Sequence, residues 1–252
     1  MNIPFIILLL LLGASWGSFL NVVAYRLPKK KTFLKGRSKC PYCEKVINWY
    51  DMIPVLSWLL LRGKCRFCKH KLSLQYFIAE IASGALFLLG GFLISDWIHL
   101  FLYIVVISFF IILFIYDMRA YIIPDIVSIP AIVIIFILNY IFTRDIISIF
   151  LGALIGGLWF LIQFVVSKGR WVGGGDVRLG VLMGVLLGYP FIFLGLSLAY
   201  VGGSIVAIFL MLLKKKSMKS RLPFATLLLP ATFVAWLWGD IIWNWYMRLI
   251  GM

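Results

Sequence analysis

Long apolar runs dominate the chain, with little charge between them. "NIPFIILLLLLGASWGSFLNVVAYR" at 2–26 opens it, and "LFLYIVVISFFIILFIY" at 100–116 is typical. Neither alternates between apolar and polar positions, which excludes the strands of a transmembrane barrel and predicts helices. About 20 apolar residues are needed to cross the hydrocarbon core. Eight stretches approach that length: 3–25, 74–94, 98–116, 122–142, 146–166, 177–189, 191–213 and 222–246. The sixth is short. No Lys or Arg precedes the first and no A-x-A site follows it, so it is expected to stay as an anchor rather than be removed as a signal peptide. The fold class is an all-α polytopic membrane protein with about eight transmembrane helices. An N-terminal anchor (1–27), a polar loop (28–73) and a transmembrane core (74–252) divide it.

Composition agrees, at 63% hydrophobic residues against roughly 45–50% in soluble domains. Charge adds an orientation. Of 24 Lys and Arg, 13 lie between Arg26 and Lys71, and nine more at 119, 168, 170, 178, 214–216, 219 and 221. Eight alternating spans place all of these on one side and leave only Arg144 and Arg248 opposite. The positive-inside rule makes that side cytoplasmic and puts both termini outside. The net charge of +15 is then a topology signal that also attracts anionic lipid. No RNA-binding motif interleaves the basic residues with stacking aromatics, so no nucleic-acid partner is expected.

All four cysteines lie in the polar loop, as "CPYC" (Cys40, Cys43) and "CRFC" (Cys65, Cys68). Two such turns present four thiolates, a donor set for a structural tetrahedral zinc, and a loop with little core of its own gains folding energy from the metal. The reducing cytoplasm disfavours disulfides. A lone "CPYC" resembles a glutaredoxin site, but a second CxxC accompanies it here. Iron in a tetrathiolate site stays open. With four sulfurs completing the shell, His70 is read as a solvated loop residue.

Acids are scarce, nine in 252 residues. Glu44, Asp51, Asp96, Asp145 and Asp240 fall in loops or at extracytoplasmic ends, where a solvated carboxylate needs no special explanation. Glu80, Asp117, Asp125 and Asp176 remain. Asp117 ends the third span in "FIYDMRAYIIPD" and Asp176 starts the sixth in "WVGGGDVRLG", so both lie at the cytoplasmic boundary on different helices. Two close carboxylates share a proton, leaving one to abstract a proton from water. Gly173, Gly174 and Gly175 before Asp176 let the backbone approach a peptide and move. His70 and His99 are the only histidines and no HExxH is present, which closes the zincin route and leaves no Ser–His pair. Asp125, directly behind Pro124, is read as a helix-capping acid outside the pair.

These segments resemble the prepilin peptidases, or type 4 leader peptidases, of the GxGD intramembrane aspartyl class. "GSFLNVVAYRLP" (17–28) resembles the family's opening signature. "CPYC…INWYDMIPVLSWLLLRGKCRFC" resembles its cysteine domain and "SLQYFIAE" its return into the membrane. "YDMRAYIIPD" and "GGGDVRLG" resemble its two aspartate motifs. The resemblance implies Asp117 and Asp176 as the catalytic pair and Cys40, Cys43, Cys65 and Cys68 as metal ligands. It implies an endopeptidase of the bacterial cytoplasmic membrane that removes the short basic leader of type IV prepilins or pilin-like precursors at the cytoplasmic face. Many members also methylate the new N-terminus with S-adenosylmethionine. No methyl-donor fingerprint is present here, which leaves that activity open. The segment "LPFATLLLPA" departs from the Gly-Pro expected after its Phe.

Two other classes compete. A transporter using the aspartates as a proton relay would place them near the bilayer midplane on interrupted helices of matching halves. A scaffold held by its zinc loop would need neither carboxylate.

Overall fold

The computed structural model describes residues 3–27, 38–213 and 223–249. The basic segments at 28–37 and 214–222, part of the basis for the predicted orientation, lie outside the described residues.

Nine α-helices and one short 3-10 helix (Trp49–Met52) are formed among the described residues: α1 (Ile3–Arg26), α2 (Leu56–Leu60), α3 (Leu74–Leu93), α4 (Trp97–Ala120), α5 (Asp125–Thr143), α6 (Ile146–Val166), α7 (Gly174–Leu187), α8 (Phe191–Leu212) and α9 (Ala225–Leu249). The described residues contain no strand, only two isolated bridges. Eight of the helices match the eight predicted stretches. Seven of these are long and apolar enough to cross a membrane. The exception is α7, whose 14 residues span about 21 Å at 1.5 Å per residue, short of the ~30 Å hydrocarbon core. The chain divides into two compact units, Met1–Ile115 and Tyr116–Met252.

In the first unit α1 packs along α3 through small residues. A Cβ on Gly17 would stand 2.6 Å from Ser83 Cβ and 2.8 Å from the Ala79 carbonyl oxygen, and one on Gly13 would strike Phe87 at 2.7 Å. Only glycine permits that approach, the usual device where helices pack without a hydrophobic drive. Polar groups are matched locally: Trp16 Nε1 donates to Ser108 Oγ at 2.7 Å, and the buried Tyr103 hydroxyl donates to the Leu86 carbonyl at 2.8 Å.

In the second unit α7 is the central element, buried from Leu179 and Gly180 through Leu187 apart from Val181. Its closest neighbour is α6, and the seam is glycine on both sides. A Cβ on Gly156 or Gly180 would meet the other's carbonyl oxygen, and so would one on Gly152 or Gly184. These pairings run antiparallel, and continuing the register sets Asp176 level with Phe160, six residues before α6 ends at Val166. Asp176, in the first turn of α7, is thus recessed by about 9 Å below the end of the neighbouring helix. The other end of α7 is pinned by side chains. Asn139 Nδ2 donates to the Val185 and Leu186 carbonyls at 2.8 and 3.3 Å, and Gly188, at φ 68°, terminates the helix. These bonds satisfy last-turn carbonyls that would otherwise be orphaned inside the protein.

Candidate active site

The "VGGGD" stretch turns into α7 because the Asp176 side chain closes on the turn before it. Gly173 N–H donates to Asp176 Oδ2 at 2.9 Å, while Asp176 N–H donates to the Gly173 carbonyl at 3.0 Å. This reciprocal arrangement at the first turn fixes the carboxylate by one oxygen. The three glycines differ in what they require. Gly173 lies at φ −83°, open to any residue. A Cβ on Gly174 would meet nothing within 4 Å, whereas one on Gly175 would stand 2.8 Å from Ile123 Cβ. Close approach therefore demands glycine at Gly175 alone.

Asp117 occupies the last turn of α4, in the same unit as Asp176, and is 4% exposed. Its Oδ2 accepts from Thr226 N–H at 3.0 Å, and the Ala225 N–H also points to the carboxylate. Ala225 and Thr226 are the first residues of α9, so Asp117 satisfies orphan donors of that helix's first turn. The segment "LPFATLLLPA", which departs from the expected pattern, is thus the one that holds Asp117. Sequence reading missed Thr226 because its contribution is a backbone N–H, without a side-chain signature. The Asp117 and Asp176 carboxyls interact electrostatically. Two helix N-termini, those of α7 and α9, each hold one of them.

Asp125 lies in the first turn of α5, whose N-cap residue is Pro124. Its Oδ1 accepts from Arg178 Nη1 in an ion pair. Arg178 lies two residues after Asp176, so α5 and α7 are linked beside the aspartates. Asp125 thus stands in the first turn of α5 as expected, but its carboxylate is engaged by a long cation on the neighbouring helix.

The remaining acids separate by environment. Asp96 and Asp145 cap α4 and α6, accepting from His99 N–H at 3.1 Å and Ser148 N–H at 3.0 Å. His99 Nδ1, 2.7 Å from Asp96 Oδ2, holds that carboxyl below its ordinary range. Glu44 and Asp240 are exposed. Asp51 is not a solvated loop acid: its side chain is 6% exposed, and Arg66 pairs with it through Nε (2.9 Å to Oδ2) and Nη2 (2.7 Å to Oδ1). Glu80 is buried in α3 and accepts from Val55 N–H at 2.8 Å.

Each CxxC forms the same turn. Cys40 N–H donates to Lys45 O and Glu44 N–H to Cys40 O; Cys65 N–H donates to His70 O and Lys69 N–H to Cys65 O. Glu44 and Lys69 both take left-handed backbone, φ 56° and 57°. The ligand atoms of Cys40, Cys43, Cys65 and Cys68 lie within 4.8 Å of one another, with Cys40 and Cys68 Sγ 3.9 Å apart. A tetrahedron with metal–sulfur bonds of about 2.3 Å has edges of about 3.8 Å, so the residues fit a metal. The Cys68 N–H, the strongest influence on the Cys65 thiol, helps lower its pKa to about 7. The Cys68 thiol, despite the His70 N–H, is pushed up to about 11 by burial and the neighbouring thiols, so of the two Cys65 more readily becomes a thiolate. His70 stacks on Tyr42, ring centroids 3.5 Å apart, and Lys45 lies over the Phe67 ring. These contacts join the knuckles, giving His70 a packing role.

The family model described as the bacterial peptidase A24 N-terminal domain matches residues 11–93, and the type IV leader peptidase family model matches residues 104–208. The chain is 33% identical over 210 residues to the prepilin leader peptidase/N-methyltransferase of Vibrio cholerae, covering 76% of this chain and 81% of the relative. It belongs to the type IV leader peptidase family. The Bacillus subtilis relative of the same name is 28% identical over 249 residues, covering 96% of this chain and 98% of its own. That of Pseudomonas putida is 29% identical over 278, covering 98% and 95%. No solved structure matches the chain. Both aspartates of this leader peptidase family member fall in the second match and all four cysteines in the first. Thr226 lies beyond either.

Proposed function

We propose that this protein is an intramembrane aspartyl endopeptidase. It removes the short basic leader of type IV prepilins or pilin-like precursors at the cytoplasmic membrane face. Residues 28–73 serve as its metal-binding loop and 74–252 as its peptidase core. One observation carries the reading: in a leader peptidase family member, Asp117 and Asp176 are brought within electrostatic reach by the starts of α9 and α7. Counting the short, buried α7 with the seven long apolar helices gives eight passes with both termini outside, which supports a cytoplasmic position for that end of α7. There, about 9 Å below the end of α6, the pair meets the junction of a polar leader with an apolar helix.

One carboxyl keeps a proton while the other is ionised, because two neighbouring negative charges repel. The ionised member removes a proton from water as its oxygen adds to the scissile carbonyl. The protonated member donates to the carbonyl oxygen. Collapse of the tetrahedral diol breaks the C–N bond, and the departing amine takes up a proton from the pair. Gly173 N–H and the α9 N–H groups keep the two carboxylates oriented throughout. Cys40, Cys43, Cys65 and Cys68 would hold a structural zinc, which supplies cross-linking of the two knuckles and no part of the cleavage.

The test is incubation of the purified protein in detergent with a prepilin-like peptide, read by mass spectrometry. A single cut between the leader's terminal Gly and the apolar helix is expected. No cut would overturn the reading in favour of a relay or a scaffold.

A further inference from the structure

Between the two knuckles the chain turns apolar without crossing anything. The 3-10 helix (Trp49–Met52) and α2 lie there, and α2, with five residues, is far too short to span a bilayer. Trp49 is 75% exposed and Leu60 82%, and Tyr50, Ile53, Leu56 and Leu59 are exposed with them. Leu56, Leu59 and Leu60 share one face of α2 by their i, i+3, i+4 spacing. Scattered exposed apolar residues need no explanation, but such a concentration marks a surface of interaction.

The opposite face of α2 fixes its height. Trp58 stacks on Phe77 of α3, ring centroids 4.5 Å apart, and Val55 N–H, at the start of α2, donates to Glu80 of α3 at 2.8 Å. Held by that bond, Val55 takes φ 64°, which a β-branched side chain avoids. Ser73 caps α3, whose 20 residues from Leu74 span about 30 Å. That is the thickness of the hydrocarbon core, so all of α3 is needed to cross it. Phe77 and Glu80 then stand about 5 and 9 Å inward from Leu74. Tied to both, α2 lies back alongside the membrane helix, at the headgroup–acyl boundary. Interfacial helices bury an apolar face about 5–10 Å deep at that level.

Charge selects the kind of lipid. Residues 38–73 carry seven Lys or Arg against two acids, Glu44 and Asp51, and Asp51 is already paired with Arg66. Arg62 and Lys64, directly behind α2, are exposed and long enough to keep their charge among headgroups while their stems cover apolar surface. Trp49 and Tyr50 are of the types enriched at membrane interfaces. A second copy of the chain would bring the same positive charge against this face. We infer that residues 49–61 form an interfacial anchor that seats the cysteine knuckles on an anionic lipid surface. Leu56, Leu59 and Leu60 enter the acyl boundary, and the basic residues meet phosphate headgroups. The inference rests on α3 as a membrane helix and is independent of the aspartates.

The test is photolabelling of the full chain, reconstituted in phosphatidylcholine vesicles with or without phosphatidylglycerol. One probe is a phospholipid carrying a diazirine near the headgroup end of its acyl chain; the other is a water-soluble diazirine. Labelled peptides are mapped by mass spectrometry. The lipid probe is expected to label 49–61 more than 38–48, and at least about twofold more strongly with phosphatidylglycerol present. Replacing Leu59→Gln and Leu60→Gln together removes two apolar contacts and should lower that labelling about threefold or more, with α1 and α3 labelled as before. Both side chains are exposed, so the variant should fold, which thermal unfolding and metal content verify; if it does not, the wild-type comparison of the two lipid compositions decides. Labelling of 49–61 by the aqueous probe alone overturns the inference. So does labelling by neither probe, which would mean that protein, such as a second copy, covers the face. Lipid labelling unchanged by phosphatidylglycerol or by the folded variant overturns it as well. Vesicles that show the expected labelling but fail to cleave a prepilin-like peptide would support the anchor and overturn the peptidase reading alone.

Discussion

At the residue scale, the three glycines before Asp176 make different demands although the sequence presents them alike. Gly174→Ala adds a methyl group to open space and should keep most activity. Gly175→Ala drives a Cβ into Ile123 and displaces the carboxylate next to it. Misplacement of reacting groups by about 1 Å costs on the order of 100-fold, so kcat/KM of Gly175→Ala should fall about 10- to 100-fold. Equal kcat/KM values for the two variants would contradict this geometry. Asp125 gives a second contrast. As a cap it would tolerate Asn better than Ala; as the partner of Arg178, 58% exposed in its side chain, it loses the same ion pair in both. Asp125→Asn and Asp125→Ala should each cost under about 1 kcal/mol, shrinking further in high salt, with cleavage retained. Thermal unfolding at two ionic strengths checks it. Both aspartates of the candidate pair were legible because a carboxylate beside apolar runs is conspicuous. Thr226, Ala225 and Asn139 were not, since backbone donors and a lone buried amide leave no periodic trace.

At the element scale, α7 is the least membrane-like helix and the most buried of those carrying the site. Sequence reading placed it at 177–189, three residues late, because "GGGD" resembles a loop more than a first turn. What makes it a helix is tertiary: the capping bonds of Gly173 and Asp176, the amide of Asn139, and the glycine seam with α6. Gly180→Ala or Gly184→Ala should strain that seam by about 1–3 kcal/mol, the usual cost of overpacking. Gly202→Ala, whose Cβ would meet nothing within 4 Å, should leave stability unchanged. Comparison of unfolding temperatures in detergent tests this. Equal stability of all three variants would mean that the helices pack more loosely than the glycine contacts require.

At the scale of the whole molecule, hydrophobic runs and charge asymmetry sufficed for a polytopic helical protein, and two CxxC turns for a cysteine cluster. The join between α9 and Asp117 lay beyond pattern reading because it links residues 109 positions apart. Replacing any one of Cys40, Cys43, Cys65 or Cys68 by Ser should release metal and loosen 40–68, since such knuckles depend on metal to fold. Cleavage should fall without vanishing. One zinc per purified wild-type chain is expected, and well under one would refute the assignment. The central claim is that Asp117 and Asp176 are the acid–base pair of a leader peptidase. Its most direct test is turnover of a prepilin-like peptide by Asp117→Asn and Asp176→Asn, with folding verified by thermal unfolding. The account predicts losses of about 100-fold or more in each. Retention of more than about a tenth of wild-type turnover by either folded variant, well above the smallest loss general acid–base catalysis implies, would contradict it.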